Sequence, residues 1–169
     1  MRQLSLVGEA MSEKDYVAVL KQSLAKKVEI LDTICALNVE QKRMLEDPEL
    51  MPEELEENFR AKGELVDQLV ALDDGFEQVY DRVKEELTHH KERYASDILQ
   101  MQKDISRITE RSADIRAQEQ RNKSLMEQKF ATVKKQVREV KNSQQAVNSY
   151  YRNMMKMNYV DPQFMDNKK

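Results

Sequence analysis

The sequence predicts an all-α fold, an elongated antiparallel hairpin or bundle of about three long helices with coiled-coil-like packing. Three observations predict it. First, only three glycines and three prolines occur in 169 residues, where average usage would give roughly 12 and 8. All-β architecture needs a turn signal roughly every 8–12 residues, and this chain cannot supply them. Second, charged residues make up 35% of the chain and tryptophan is absent. Ala, Glu, Lys, Leu, Arg, Gln and Met, the helix formers, fill the chain instead. Third, apolar residues recur every three or four positions over long stretches, the mark of an amphipathic helix. A chain of this length makes one domain of ordinary size.

The elements follow in order. Residues 1–11, with Gly8 among them, are expected to be a flexible N-terminal tail. Ser12 is a good N-cap, and Asp15 stands at the reciprocal position of a capping box, although Asp is shorter than the usual Glu. Met11 and Tyr16 stand where a hydrophobic staple would be. The first helix is therefore expected over about 12–46. Its stripe reads Val17, Leu20, Leu24, Val28, Leu31 and Cys35, and one heptad column reads Val17, Leu24, Leu31, Asn38 and Leu45. Asn38 either sets register by meeting another polar group or lies at a less buried end. Asp47-Pro48-Glu49-Leu50-Met51-Pro52 holds two of the three prolines and is the clearest loop. Pro48 disfavours helical geometry at Asp47. Pro52 suits a first helical turn, and the four glutamates within residues 53–57 favour the positive end of a helix dipole.

The second helix is expected over about 53–88, with a stripe of Leu55, Phe59, Val66, Leu69, Leu72, Phe76, Val79, Val83 and Leu87. Gly63 and Gly75 fall inside it, and each is expected to mark close packing or a bend. The stripe runs on through Tyr94, Ile98, Met101, Ile105, Ile108 and Ile115 without a glycine or proline. Either a turn lies near 88–96, or one helix of at least ~130 Å continues. The turn is favoured, because Thr88-His89-His90 and Ser96-Asp97 are the poorest helix formers there, and Ser96 is a candidate cap for a third helix over 96–143. Beyond Ile115 the stripe thins, so this helix is expected to be weakly held.

Residues 144–169 hold four of the ten Met and four of the ten Phe and Tyr. Methionine suits surfaces that accept several apolar partners, and tyrosine gives contact area with a polar tip. The cluster either packs on the bundle or binds a partner. Binding is favoured, because the preceding helix is too polar to anchor it. Phe130, Val147, Tyr150, Tyr151, Met154 and Met155 are the candidate contacts.

Net charge is −3, but residues 1–90 carry 11 Lys and Arg against 21 Asp and Glu, and residues 91–169 carry 17 against 10. Opposite halves favour folding back or antiparallel pairing, and the basic half carries no nucleic-acid module. Strictly apolar runs reach four residues, too short to cross a bilayer. The single Cys35 excludes an intrachain disulfide. The expectation is a cytoplasmic monomer or homodimer without membrane insertion or nucleic-acid partner. No catalytic constellation is present. Cys35 lies on the apolar stripe and reads as a small core residue. Glu86-Leu87-Thr88-His89 has the Glu-x-x-His spacing of di-iron bundles, but a second copy is lacking. His89 and His90 read as exposed turn residues. No metal or cofactor is expected, and an enzyme is not.

The segments Lys62-Gly63-Glu64-Leu65-Val66-Asp67-Gln68-Leu69, Leu72-Asp73-Asp74-Gly75-Phe76, Glu119-Gln120-Arg121-Asn122-Lys123, Tyr150-Tyr151-Arg152-Asn153-Met154 and Asp161-Pro162-Gln163-Phe164-Met165-Asp166-Asn167-Lys168-Lys169 resemble the FlgN family of flagellar export chaperones, particularly forms from Firmicutes. The resemblance runs from about Tyr16 to Lys169. It implies a small cytoplasmic all-helical chaperone for flagellar type III secretion, binding hook-associated (hook–filament junction) proteins. It further implies client binding by the C-terminal amphipathic region, where a tyrosine can engage the export gate. Tyr150 and Tyr151 are the candidates for that contact. The competing expectation is a dimeric coiled-coil scaffold without a client, which predicts a concentration-dependent dimer and one uninterrupted helix through 88–96.

Overall fold

A computed structural model describes residues 12–132 and 137–157, with side chains described over 12–131 and 144–154. It contains four helices: α1 (Glu13–Leu45), α2 (Pro52–His89), α3 (Ala95–Thr132) and α4 (Val137–Met157). α1 opens as the sequence predicts. Asp15 N–H donates to Ser12 Oγ at 3.3 Å, and Ser12 N–H donates to Asp15 Oδ2 at 3.0 Å, so the shorter acid still closes the capping box. Met11 of the expected staple lies outside the described residues. α1 ends before the Pro48 loop, and Pro52 begins α2.

The chain turns at 90–94 without a glycine, so α2 and α3 are separate helices. Tyr94 stabilises this corner. It is buried, and its hydroxyl donates to Glu86 Oε2 at 3.1 Å. Ser96 does not cap α3, because the helix already starts at Ala95, with Ile98 N–H donating to the Tyr94 carbonyl at 2.8 Å. α3 ends at Thr132 and α4 begins at Val137. The boundary expected at 143/144 therefore falls inside a fourth helix.

α1 packs against both α2 and α3, and α4 packs against α2. Pairs of partners give the directions. Lys27 meets Asp73 and Gln41 meets Asn58, so α2 runs antiparallel to α1. Asp32 meets Arg111 and Gln41 meets Asn122, so α3 runs parallel to it. The two charged halves thus fold together, but the signs are mixed. Arg111 joins an acid of the first half, whereas Lys21 and Lys62 of that half join Asp97 and Glu119 of the second.

The core follows heptads. The α1 column Val17, Leu24, Leu31, Asn38 and Leu45 is buried throughout. On α2 the column Leu55, Lys62, Leu69, Phe76 and Val83 is also buried at every position. α3 contributes Met101, Ile105, Ile108, Ile115 and Met126. α3 is not weakly held as its polarity suggested: where its apolar stripe thins, Glu119 and Asn122 are buried instead.

Gly63 and Gly75 do not mark close packing. α2 runs through both, and a Cβ built at either meets nothing within 4 Å. Each glycine then costs only backbone entropy. Gly63→Ala and Gly75→Ala are each expected to raise the unfolding free energy by about 0.5–1 kcal/mol. Urea melts of the two variants check this. A loss of stability at either position would show that the open space is needed.

Candidate functional site

α4 brings its apolar face onto the bundle because Val147 and Met154 repeat at heptad spacing with Tyr150 between them. All three are buried. Tyr150 lies edge-on to Phe59, with ring centroids 6.0 Å apart and planes at 67°. This geometry differs from the loosely attached segment expected from sequence: α4 packs on α2, and Glu119 of α3 adds hydrogen bonds to it.

The anchor is a polar layer that crosses all four helices. Lys62 of α2 is fully buried. Its ammonium donates to Asn38 Oδ1 at 2.7 Å and Gln41 Oε1 at 3.3 Å on α1, and to both oxygens of Glu119 on α3 at 3.0 and 3.2 Å. It also sits 4.2 Å from the Tyr150 ring centroid and 4.8 Å from that of Phe59, a favourable place for a cation. The Tyr150 hydroxyl donates to Glu119 Oε2, and the Tyr151 hydroxyl donates to the Glu119 carbonyl at 3.2 Å. Asn122 Nδ2 donates to Gln41 Oε1 at 3.0 Å and the Asn38 carbonyl at 2.9 Å. Gln41 Nε2 in turn reaches Asn58 Oδ1 at 2.9 Å. Among the described residues no buried side-chain nitrogen or oxygen lacks a partner. That completeness is what makes a buried polar layer tolerable. Asn38 therefore takes the register role, not that of a less buried end.

Burial pushes the Lys62 ammonium down to about 8, although Glu119 pulls it upward by charge and hydrogen bonding. Burial, then the Glu119 charge and hydrogen bond, hold the Tyr150 and Tyr151 phenols above the ordinary tyrosine range. The stability consequence has a definite sign. Below pH 8 Lys62 carries its proton in both folded and unfolded chains. Between about 8 and the ordinary lysine value of 10.5 only the unfolded chain keeps it. Stability contributed by this group therefore rises with pH across that window. The raised tyrosines act oppositely above pH 10. Urea melts at pH 7.5–9.5 are expected to show this rise relative to Lys62→Met. Parallel profiles for the two proteins would contradict it.

Phe130 is half-buried and shares a cleft of about 300 Å³ with Met126 and Val147, rimmed by Lys123, Glu127, Gln144 and Asn148. The candidate contacts thus fall into two places. Phe130 and Val147 meet at this cleft. Tyr150 and Tyr151 meet at Glu119, with Met154 buried one α4 turn beyond. Met155 lies on α4, and its side chain falls outside the described residues. Cys35 is half-buried and its thiol is pushed up by burial, as befits a packing residue. His89 and His90 are exposed at the end of α2.

Sequence reasoning missed Lys62, Glu119, Asn122, Asn58 and Gln41 as one cluster. The available signal was Asn38 in an apolar column, together with the heptad that places Lys62 between Leu55 and Leu69. No group of three His, Cys, Asp or Glu side chains among the described residues is placed to hold a metal, and no helix there is long and apolar enough to cross a membrane.

A family model described as FlgN protein matches residues 11–157, a span that includes all four helices. No curated protein and no solved structure matches the chain.

Proposed function

Because the chain belongs to the FlgN family of flagellar export chaperones, we propose that it binds hook-associated (hook–filament junction) proteins in the cytoplasm and delivers them to the flagellar type III secretion apparatus. The observation that carries this reading is the family match across all four helices.

The proposed client segment is an amphipathic terminal helix, received by helix-in-groove contact. Phe130 and Val147 meet it at the α3–α4 cleft, which is large enough for an apolar side chain. Tyr150, Tyr151, Met154 and Met155 extend the contact along α4. Phe130 reaches a client with α4 in place, whereas Tyr150 and Met154 reach one only when α4 turns or lifts from α2. The same two tyrosines are the proposed contacts with the export gate. No catalytic step enters this mechanism. The scaffold alternative predicts a concentration-dependent dimer and an uninterrupted helix through 88–96; the turn at 90–94 does not meet the second, and light scattering of the pure protein tests the first.

Co-expression of the tagged chain with each hook-associated protein of the same organism tests the proposal. One or more should co-purify at a fixed stoichiometry, and co-purification of none would count against it. Phe130→Asp, which places a charge in the cleft without emptying the core, is expected to weaken the complex at least tenfold.

A further inference from the structure

We infer that the Lys62–Glu119 layer is a register lock for α4: it selects the one heptad position at which α4 can dock. The apolar contacts alone cannot make that choice. Val147 and Met154 belong to a column that also contains Val140, one heptad earlier. Sliding α4 by one heptad, about 10 Å along its axis, so that Val140 takes the place of Val147 and Val147 that of Met154, exchanges one apolar side chain for another of similar kind, whereas the opposite slide would put Asp161 in the place of Met154. The second column is different. It reads Ser143, Tyr150 and Met157, so a slip in either direction brings serine or methionine to the level of Glu119.

Neither substitute satisfies the layer. Glu119 is buried, and its carboxylate accepts from both Lys62 and the Tyr150 hydroxyl. The Tyr150 ring also covers the Lys62 ammonium at 4.2 Å. Serine is too short to bring a hydroxyl across that ring's width, and methionine has no donor. A slipped α4 therefore leaves a buried charge pair partly unsatisfied, which costs far more than the apolar contacts differ. Tyr151 adds a second reading of the same residue through the Glu119 carbonyl. The analogous use of one buried polar residue to fix register in a coiled coil rests on the same asymmetry. This assignment stands on the helix packing and is independent of what the chain binds.

The test moves the tyrosine. In the full chain with Cys35→Ser, spin labels at Gln78→Cys on α2 and Ser149→Cys on α4, both at exposed positions, report axial displacement. The native pair should give one distance. Ser143→Tyr combined with Tyr150→Ser should shift that distance by about 10 Å, because α4 slides to keep a tyrosine at Glu119. A second variant guards against simple loss of folding. Lys62→Met/Glu119→Met/Tyr150→Phe makes the layer apolar and should remain helical while showing two or more distances. An unshifted single distance in the first variant, or one native distance in the second, would overturn the lock.

Discussion

Replacing Lys62 by alanine is expected to lower the unfolding free energy by about 3–5 kcal/mol. The size follows from what the ammonium leaves behind. Glu119 keeps its buried carboxylate with only the Tyr150 hydroxyl, and Asn38 Oδ1 loses its 2.7 Å donor. The cavity under the Phe59 and Tyr150 rings adds a packing loss. An apolar layer made by changing Lys62, Glu119 and Tyr150 together strands no charge, although Asn38 Oδ1 still loses its donor, and should cost much less than Lys62→Ala. Chemical denaturation of the two proteins separates these outcomes. Similar losses in both would mean that volume, not charge pairing, dominates the site.

Removing residues 144–169 is expected to abolish client binding and to destabilise the bundle at the same time. From sequence this segment reads as a detachable binding tail, whose loss spares helices 12–115. The structure changes that expectation, because Val147, Tyr150 and Met154 are core residues. Their removal uncovers Phe59 and Met126 and costs on the order of 3–5 kcal/mol, with hydration of Lys62 and Glu119 offsetting part of the loss. Calorimetry alongside client pull-down reads both effects. Full native stability in the truncated chain would restore the tail reading.

The fold was legible wherever one local rule decided the outcome. Ser12 and Asp15 have the chemistry of a cap, Pro48 and Pro52 bracket a loop, and the scarcity of turn formers limits the number of helices. The turn at 90–94 was legible only as a weak spot, because it is held by Tyr94 reaching Glu86 across the corner, a contact between residues eight apart. The polar layer was harder. Lys62, Glu119 and Asn122 have the composition of a solvated helix face, and nothing in a residue's type says that three other helices will cover it. Strict heptad counting places Lys62 in line with Leu55 and Leu69, but period counting by threes and fours passes over it. The glycines misled for a related reason. An interior glycine suggests a close neighbour, whereas Gly63 and Gly75 face open space.

Tyr150 shows how far a site can be read from one chain. Its neighbourhood stands out in the sequence by the density of Met, Tyr and Phe. Its actual partner, Glu119, lies 31 residues away, in a segment also singled out but for a different reason. Two segments that resemble the same family therefore converge on one buried contact, and a third supplies Lys62.

Hydrogen exchange of the full chain, alone and with a co-purified hook-associated protein, tests the central claim most directly. Binding is expected to change the exchange of α4 backbone amides and of those around Phe130, while the lower bundle around Val17, Phe76 and Tyr94 stays as it was. Changes confined to the lower bundle, with α4 unaffected, would contradict it.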